Sequence, residues 1–283
     1  MIYARIAGID VGDAYPVRIM AVINVSPESF YSGSIFTKPD EIAEVAERFE
    51  REGANFIDVG GRSTAPYKKT DIPLEEELRR VITAIKYIKE NTSIRIPISV
   101  DTTSSIVAEK ALEVGASIVN DVRGLKGDLR MVKVVAEYDV PVIICAYKNV
   151  VSGSYNPVHT VIEALTESLE IASKHSIDLS KVVIDPAIGF FRPKDYPWYI
   201  WDSVILKSLK ALRVFNKPIL VGVSRKSFIG AITGKKRPEE RLWGSLAATA
   251  IAVYNGAHIV RTHDPKETRD AVMVAKFIRD VSS

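Results

Sequence analysis

Four residues spread along the chain, Asp101, Asn120, Asp185 and Lys226, are of types that could jointly hold a flat, nitrogen-rich heterocycle. A carboxylate accepts two parallel N–H bonds from a guanidine-like edge, an amide both donates and accepts, and an ammonium supplies a cation. A pterin or a purine has such an edge. A second set suits phosphate and a hard cation. The Asn24 amide oxygen could ligate a metal ion, while Arg261 and His263 could hold phosphate oxygens by charge-assisted bonds. Together they suggest a metal-assisted diphosphate site. Each set also has a purely structural reading, in which Lys226 neutralises Asp185, Asn24 pins its loop and Arg261 pairs with Asp264.

These residues lie at the ends of short apolar runs. Eight runs recur, at Arg18–Asn24, Asn55–Asp58, Ile98–Asp101, Ile118–Asp121, Val142–Tyr147, Val182–Asp185, Ile219–Ser224 and Ile259–His263. Enough sequence separates them for a loop and a helix, which is the pattern of βα repeats rather than hairpins. Eight such units close a barrel whose strand C-termini build the site. The expectation is therefore an α/β fold, a single (β/α)8 TIM barrel over residues 1–283, with a short N-terminal lead-in that plugs the bottom. Helices are expected from Pro39 to about Gly53, over Leu74–Asn91, after Thr102–Ser105 up to Gly115, and from Pro265 to about Val281. The loops after strands 1 and 2 are candidate lids, and Gly189 after strand 6 lets a ligand approach the backbone.

Composition narrows the function classes. Hydrophobic residues make up 47% and charged residues 26%, as in ordinary globular proteins. A net charge of +3 gives no sign of a nucleic-acid partner. The start of the chain lacks a leader pattern, and no run approaches the ~18 apolar residues of a membrane span, so a cytoplasmic protein without membrane partners is expected. The single cysteine, Cys145, reads as core. His159, His175 and His258 read as surface or packing residues, and Trp198 and Trp201 as packing.

Seven ordered segments then resemble one family. Asn24–Phe30, Gly53–Thr64, Ser99–Thr102 with Asn120-Asp121, Asp185–Phe190, Gly222–Gly230, Arg241–Ala247 and Arg261–Asp264 are similar to the dihydropteroate synthases, pterin-binding barrels of folate biosynthesis. The most discriminating are Ser224-Arg225-Lys226-Ser227 and Arg261-Thr262-His263-Asp264, which a general barrel does not need. The resemblance implies that Asp101, Asn120, Asp185 and Lys226 bind the dihydropterin ring and that Asn24 sits at the Mg2+ and diphosphate position. It also implies that Arg261 and His263 hold the diphosphate and that Arg225 and Ser227 face an arylamine. The implied reaction condenses 6-hydroxymethyl-7,8-dihydropterin diphosphate with 4-aminobenzoate or a related arylamine, releasing diphosphate, in a possible homodimer.

Three departures stand out. The family's Glu-Ser-Thr-Arg-Pro reads Arg62-Ser63-Thr64-Ala65-Pro66, keeping Thr64 as a substrate-binding candidate but moving the arginine by three residues. Met-His-Met becomes Cys145-Ala146-Tyr147, and Asp-Pro-Gly becomes Asp185-Pro186-Ala187. Arg62 could favour a larger or more anionic arylamine; alternatively it faces solvent while Lys68 or Lys69 replaces the missing arginine. A pterin-dependent methyltransferase and a pterin-binding protein without turnover are the competing functions. The diphosphate-binding runs argue against the first, because methyl transfer releases no diphosphate.

Overall fold

The computed structural model describes residues 1–28, 31, 33, 35–36, 38–63, 72–148, 156–191, 193 and 195–281. It begins with an antiparallel hairpin, β1 (Tyr3–Ile6) and β2 (Ile9–Gly12). The barrel strands follow: β3 (Arg18–Asn24), β4 (Phe56–Gly60), β5 (Ile98–Asp101), β6 (Ile118–Asp121), β7 (Val142–Cys145), β8 (Val182–Asp185), β9 (Leu220–Gly222) and β10 (Ile259–Thr262). Their hydrogen-bonded order is β8-β7-β6-β5-β4-β3-β10-β9, every pair parallel. A bridge between Ile184 and Ile219 joins the two ends and closes the ring. The eight expected runs are these eight strands, four with the same ends and four with ends shifted by up to two residues.

Period-two alternation explains what each strand presents. Buried on both faces, a parallel strand reads as a continuous apolar run, and every second residue points into the barrel. Met20, Phe56, Ile118, Ile143, Val183, Leu220 and Ile259 form the inward bottom layer, packed against Ala4, Ile6 and Val11 of the hairpin. The lead-in thus fills the barrel's lower end as expected, although its hairpin form was not foreseen. Two residues further along the same inward faces come Asp58, Asn120, Cys145, Asp185 and Arg261. The outward faces, including Ile57, Val59, Val119, Ile144 and Ile184, share the main core with the helices.

The helices are α1 (Pro39–Arg51), α2 (Leu74–Asn91), α3 (Ser105–Glu113), α4 (Arg130–Glu137), α5 (Pro157–Lys174), α6 (Trp198–Lys207), α7 (Ser227–Thr233), α8 (Leu242–Tyr254) and α9 (Pro265–Asp280). Val81, Ala84, Ile85 and Ile88 give α2 an apolar stripe at helical spacing, and Glu75, Glu76 and Glu77 complement the dipole of its first turn. Two helices, α7 and α8, follow β9 where one was expected. Ser104 caps α3 by accepting from the Val107 N–H at 3.4 Å.

His258 does more than pack. It is buried at the lower end, where its Nδ1 accepts the Ile219 N–H at 3.1 Å and its Nε2 lies 3.1 Å from Asp13 Oδ1. Asp13 also takes both terminal nitrogens of Arg213 at 2.8 and 2.9 Å and the Ile2 N–H at 2.8 Å. This clip ties the hairpin to the strand ends. Arg213 and the other donors hold the Asp13 carboxyl well below the usual range, and burial lowers the His258 pKa. Both native groups therefore bind fewer protons than in the unfolded chain. The His258 contribution is intact above its unfolded pKa of ~6.5 and lost as pH falls below it. Asp13→Ala should cost about 1–3 kcal/mol in urea denaturation at neutral pH. Wild-type stability should drop between about pH 7 and pH 5 more steeply than that of His258→Asn, whose amide does not titrate.

Candidate active site

At the C-terminal ends of the strands, the Arg261 guanidinium spans two carboxylates. Its Nε donates to Asp58 Oδ2 at 2.6 Å and its Nη2 to Asp101 Oδ2 at 2.7 Å. Asp58 is fully buried and also accepts from Asn120 Nδ2 at 3.0 Å. Gly222 lies beside Arg261 on the neighbouring strand, where a Cβ would stand 3.6 Å from that of Arg261, an ordinary contact. Among the described residues, Asp58 Oδ1 and Asp101 Oδ1 are buried without a hydrogen-bond partner, as is Ser99 Oγ. Such atoms are costly to leave unpaired.

Asp185 and Lys226 stand beside this network. Asp185 Oδ1 accepts the Ala187 N–H at 2.6 Å. The Lys226 ammonium donates to the Ile188 carbonyl and lies 4.6 Å from the Phe190 ring centroid. Gly189 leaves space for its stem: a Cβ there would come within 2.8 Å of Lys226 Cδ, and the φ of +91° also suits glycine. The Gly189 N–H is fixed by Asp202 at 3.0 Å. Burial raises the Asp101 and Asp185 carboxyls, against the lowering effect of Arg261 on the first and Lys226 on the second. Burial also lowers Lys226 to about 8, although Asp185 opposes the shift. For Arg261, burial disfavours the cation, but Asp58 and Asp101 outweigh it and the pKa ends above its ordinary value.

The structural alternative for the anion-facing candidates is corrected by the pairings seen. Arg261 pairs with Asp58 and Asp101, not with Asp264. Asp264 belongs to Arg225, whose Nε and Nη2 reach its two carboxylate oxygens at 2.9 and 2.6 Å. Arg225 Nη1 donates to the Pro238 and Glu239 carbonyls at 3.1 and 3.0 Å. With its donors so engaged and its side chain buried, Arg225 staples three segments of the chain together. His263 Nδ1 shares a hydrogen bond of 2.9 Å with Ser224 Oγ. Burial, then Arg261, Arg225 and Lys226, push its imidazole down to about 3, so it is neutral at ordinary pH. Ser227 opens α7. Asp121 turns away from the mouth and accepts the Arg123 and Leu125 N–H groups at 2.9 and 2.8 Å, holding the loop after β6.

Asn24, Gly60 and Asp101 are paired neighbours across β3, β4 and β5. A Cβ at Gly60 would stand 3.6 Å from Asn24 Oδ1 and 3.7 Å from Asp101 Oδ2, so the two oxygen donors share one part of the rim. No group of three acidic, histidine or cysteine side chains fit to hold a metal occurs among the described residues. The donors present suit a cation that keeps waters and substrate phosphates as its other ligands.

Thr64, together with Ala65, Lys68 and Lys69, lies outside the described residues. Arg62 is described and is part-buried, with its donors engaged by neighbouring side chains. Its Nη2 donates to Thr103 Oγ1 at 2.8 Å and its Nε lies 3.4 Å from Glu77 Oε2. Glu77 is buried and also takes the Thr102 hydroxyl at 2.7 Å. One turn on, Arg80 bonds Glu28 at 2.9 Å and the Gly61 carbonyl at 3.2 Å. The first turns of α2 therefore hold the stems of both loops proposed as lids.

Comparison with known proteins matches residues 20–263 to the family described as pterin binding enzyme. A dihydropteroate synthase of Clostridium beijerinckii is 36% identical over 262 residues, 92% of this chain and 93% of that protein. The chain belongs to the dihydropteroate synthase family. A folic acid synthesis protein of Pneumocystis carinii is also 36% identical, over 89% of this chain, but this chain spans only 34% of its length. A Xanthomonas albilineans dihydropteroate synthase solved with 4-aminobenzoic acid superposes with a TM-score of 0.86 at 34% identity, covering 99% of each chain. Dihydropteroate synthases are transferases of folate biosynthesis, which settles the choice against methyl transfer.

Asp58, at the end of the second apolar run, was a candidate for the mouth without an assigned role. Its signal was present, since a carboxylate two residues beyond an inward phenylalanine also faces inward. Asp58→Asn should keep the fold but loosen Arg261 and Asn120, lowering kcat/KM about 100-fold, the scale of a misplacement near 1 Å. Steady-state assays alongside a thermal melt check this.

Proposed function

We propose that this chain condenses 6-hydroxymethyl-7,8-dihydropterin diphosphate with 4-aminobenzoate or a related arylamine, releasing diphosphate. The observation carrying this reading is the pair of buried carboxylate oxygens without partners, Asp58 Oδ1 and Asp101 Oδ1, at the floor of a mouth lined by Asn120, Asp185 and Lys226. A dihydropterin brings N–H donors to such acceptors on a flat ring. In this reading Asp101, Asn120 and Asp185 hold the ring, and the Lys226 ammonium pairs with an acceptor on it. Arg261 supports that floor and extends its charge toward the departing diphosphate, while neutral His263 donates a hydrogen bond to it. Ser227 and Thr64 complete the proposed substrate contacts, with Arg225 acting through the segments that it ties.

Catalysis then rests on positioning and on stabilising the separated charge, with no protein nucleophile. The C–O bond between the pterin methylene and the diphosphate breaks, its electron pair leaving on the phosphate oxygen. The amine nitrogen bonds the methylene carbon and loses one proton to solvent or diphosphate. Mg2+ fits beside Asn24, which would hold it together with substrate phosphates and water; there it would offset diphosphate charge. A cytoplasmic setting belongs to the same proposal, and no described helix is long and apolar enough to cross a membrane.

The proposal includes a homodimer. Exposed apolar side chains, Trp243 (77% exposed) on α8 and Phe277 (72% exposed) on α9 among them, occur on two helices that pack together. Exposed apolar patches mark association surfaces, and a second copy carries the same side chains. Phe277→Glu should shift the mass found by light scattering from dimer to monomer.

Release of diphosphate only when pterin diphosphate and arylamine are both present, with dihydropteroate formed in equal amount, is the expected result. Pterin binding without either product would leave a binding protein. Asp185→Asn should weaken pterin binding by about 2–5 kcal/mol in calorimetry. Chelation of divalent ions should weaken binding of the pterin diphosphate and leave that of the bare hydroxymethyl pterin unchanged.

A further inference from the structure

Tyr31 has no counterpart among the residues considered so far, yet it touches two of them. The Arg225 guanidinium carbon lies 4.1 Å from its ring centroid, within cation–π distance. The His263 ring meets it edge-on, with centroids 5.4 Å apart and planes at 74°. Arg225 has its in-plane donors committed to Asp264 and to the Pro238 and Glu239 carbonyls, so the face of the guanidinium is what Tyr31 uses. His263 is oriented from its other side by Ser224. The loop after β3, which starts at Asn24, is thereby joined to the ends of β9 and β10.

A second residue is fitted to this arrangement. A Cβ at Gly33 would overlap the Tyr31 hydroxyl and the ring carbon bearing it. A constraint at position 33 is therefore room for the phenol, and the ring is rigid enough that a methyl group there must displace it.

We infer that Tyr31 is a positioning residue that covers the leaving-group side of the mouth, holding His263 toward the diphosphate and keeping water from the pterin methylene. This rests on the condensation proposed above. Once the C–O bond has broken, the methylene carbon can form C–N with the amine or C–O with water, losing one proton in either case. Water capture gives back the hydroxymethyl dihydropterin. A ring spanning Arg225 and His263 excludes water where the diphosphate departs.

The test measures the ratio of hydroxymethyl dihydropterin to dihydropteroate formed, together with product inhibition by inorganic diphosphate. Tyr31→Ala should raise that ratio and weaken diphosphate inhibition, each by about fivefold to tenfold, the scale of a lost cation–π contact in a partly dry site. Gly33→Ala, which leaves Tyr31 in the chain, should reproduce both effects. Tyr31→Phe, which keeps the ring, should fall nearer to wild type than Tyr31→Ala on both readouts. Unchanged ratios in Tyr31→Ala and Gly33→Ala, or a change of similar size in Tyr31→Phe, would overturn the inference. If wild-type protein forms no dihydropteroate, it is the condensation itself that fails.

Discussion

The guanidinium of Arg261 between Asp58 and Asp101 is the interaction on which the upper half of the barrel depends. Removing three charges from water is expensive, and the attraction between them offsets this only with short, well-directed bonds. Here the bonds are 2.6 and 2.7 Å. The arrangement leaves a second oxygen on each carboxylate unused, so the folded chain carries an unsatisfied polar floor. With Asp185 and Lys226 included, three carboxylates face two cations. A ligand rich in N–H donors meets a need that the protein cannot meet by its own contacts.

That floor requires a particular alternation of side chains beneath and around it. Bulky apolar residues fill the layer below, and the hairpin completes their packing. Above them the strands switch to polar residues, with Gly222 beside Arg261 and Gly60 between Asn24 and Asp101. Outside the barrel, Glu77 and Arg80 on one helix hold the stems of two different loops. Binding groups on separate loops are thus referred to the same rigid element.

The strands were legible because each is a short apolar run buried on both faces, and because a polar residue at the end of such a run is conspicuous. Asp101, Asn120, Asp185, Lys226 and Arg261 do meet at one end of the barrel. Pairings were not legible. Arg261 and Asp264 are close in sequence, but period-two alternation turns Arg261 inward, and Arg225, at a left-handed φ of 56°, reaches Asp264 instead. His258 resembled a packing residue because its partners, Asp13 and the Ile219 N–H, are distant in sequence. The shifted arginine at position 62 likewise found an unforeseen partner, Glu77, on a helix whose register a single sequence does not relate to the loop before it.

The hairpin has a consequence for the order in which the molecule can be assembled. Residues 3–12 precede every barrel strand, yet their seat is built from seven strands and includes Ile259, nearly the full chain away. During synthesis Ala4, Ile6 and Val11 must wait, with apolar side chains uncovered, until β10 has been made. Contacts of such sequence separation form late and slowly. The nascent chain therefore carries its own stopper ahead of the vessel, and the interval before it seats is when the chain is most open to mispairing with another.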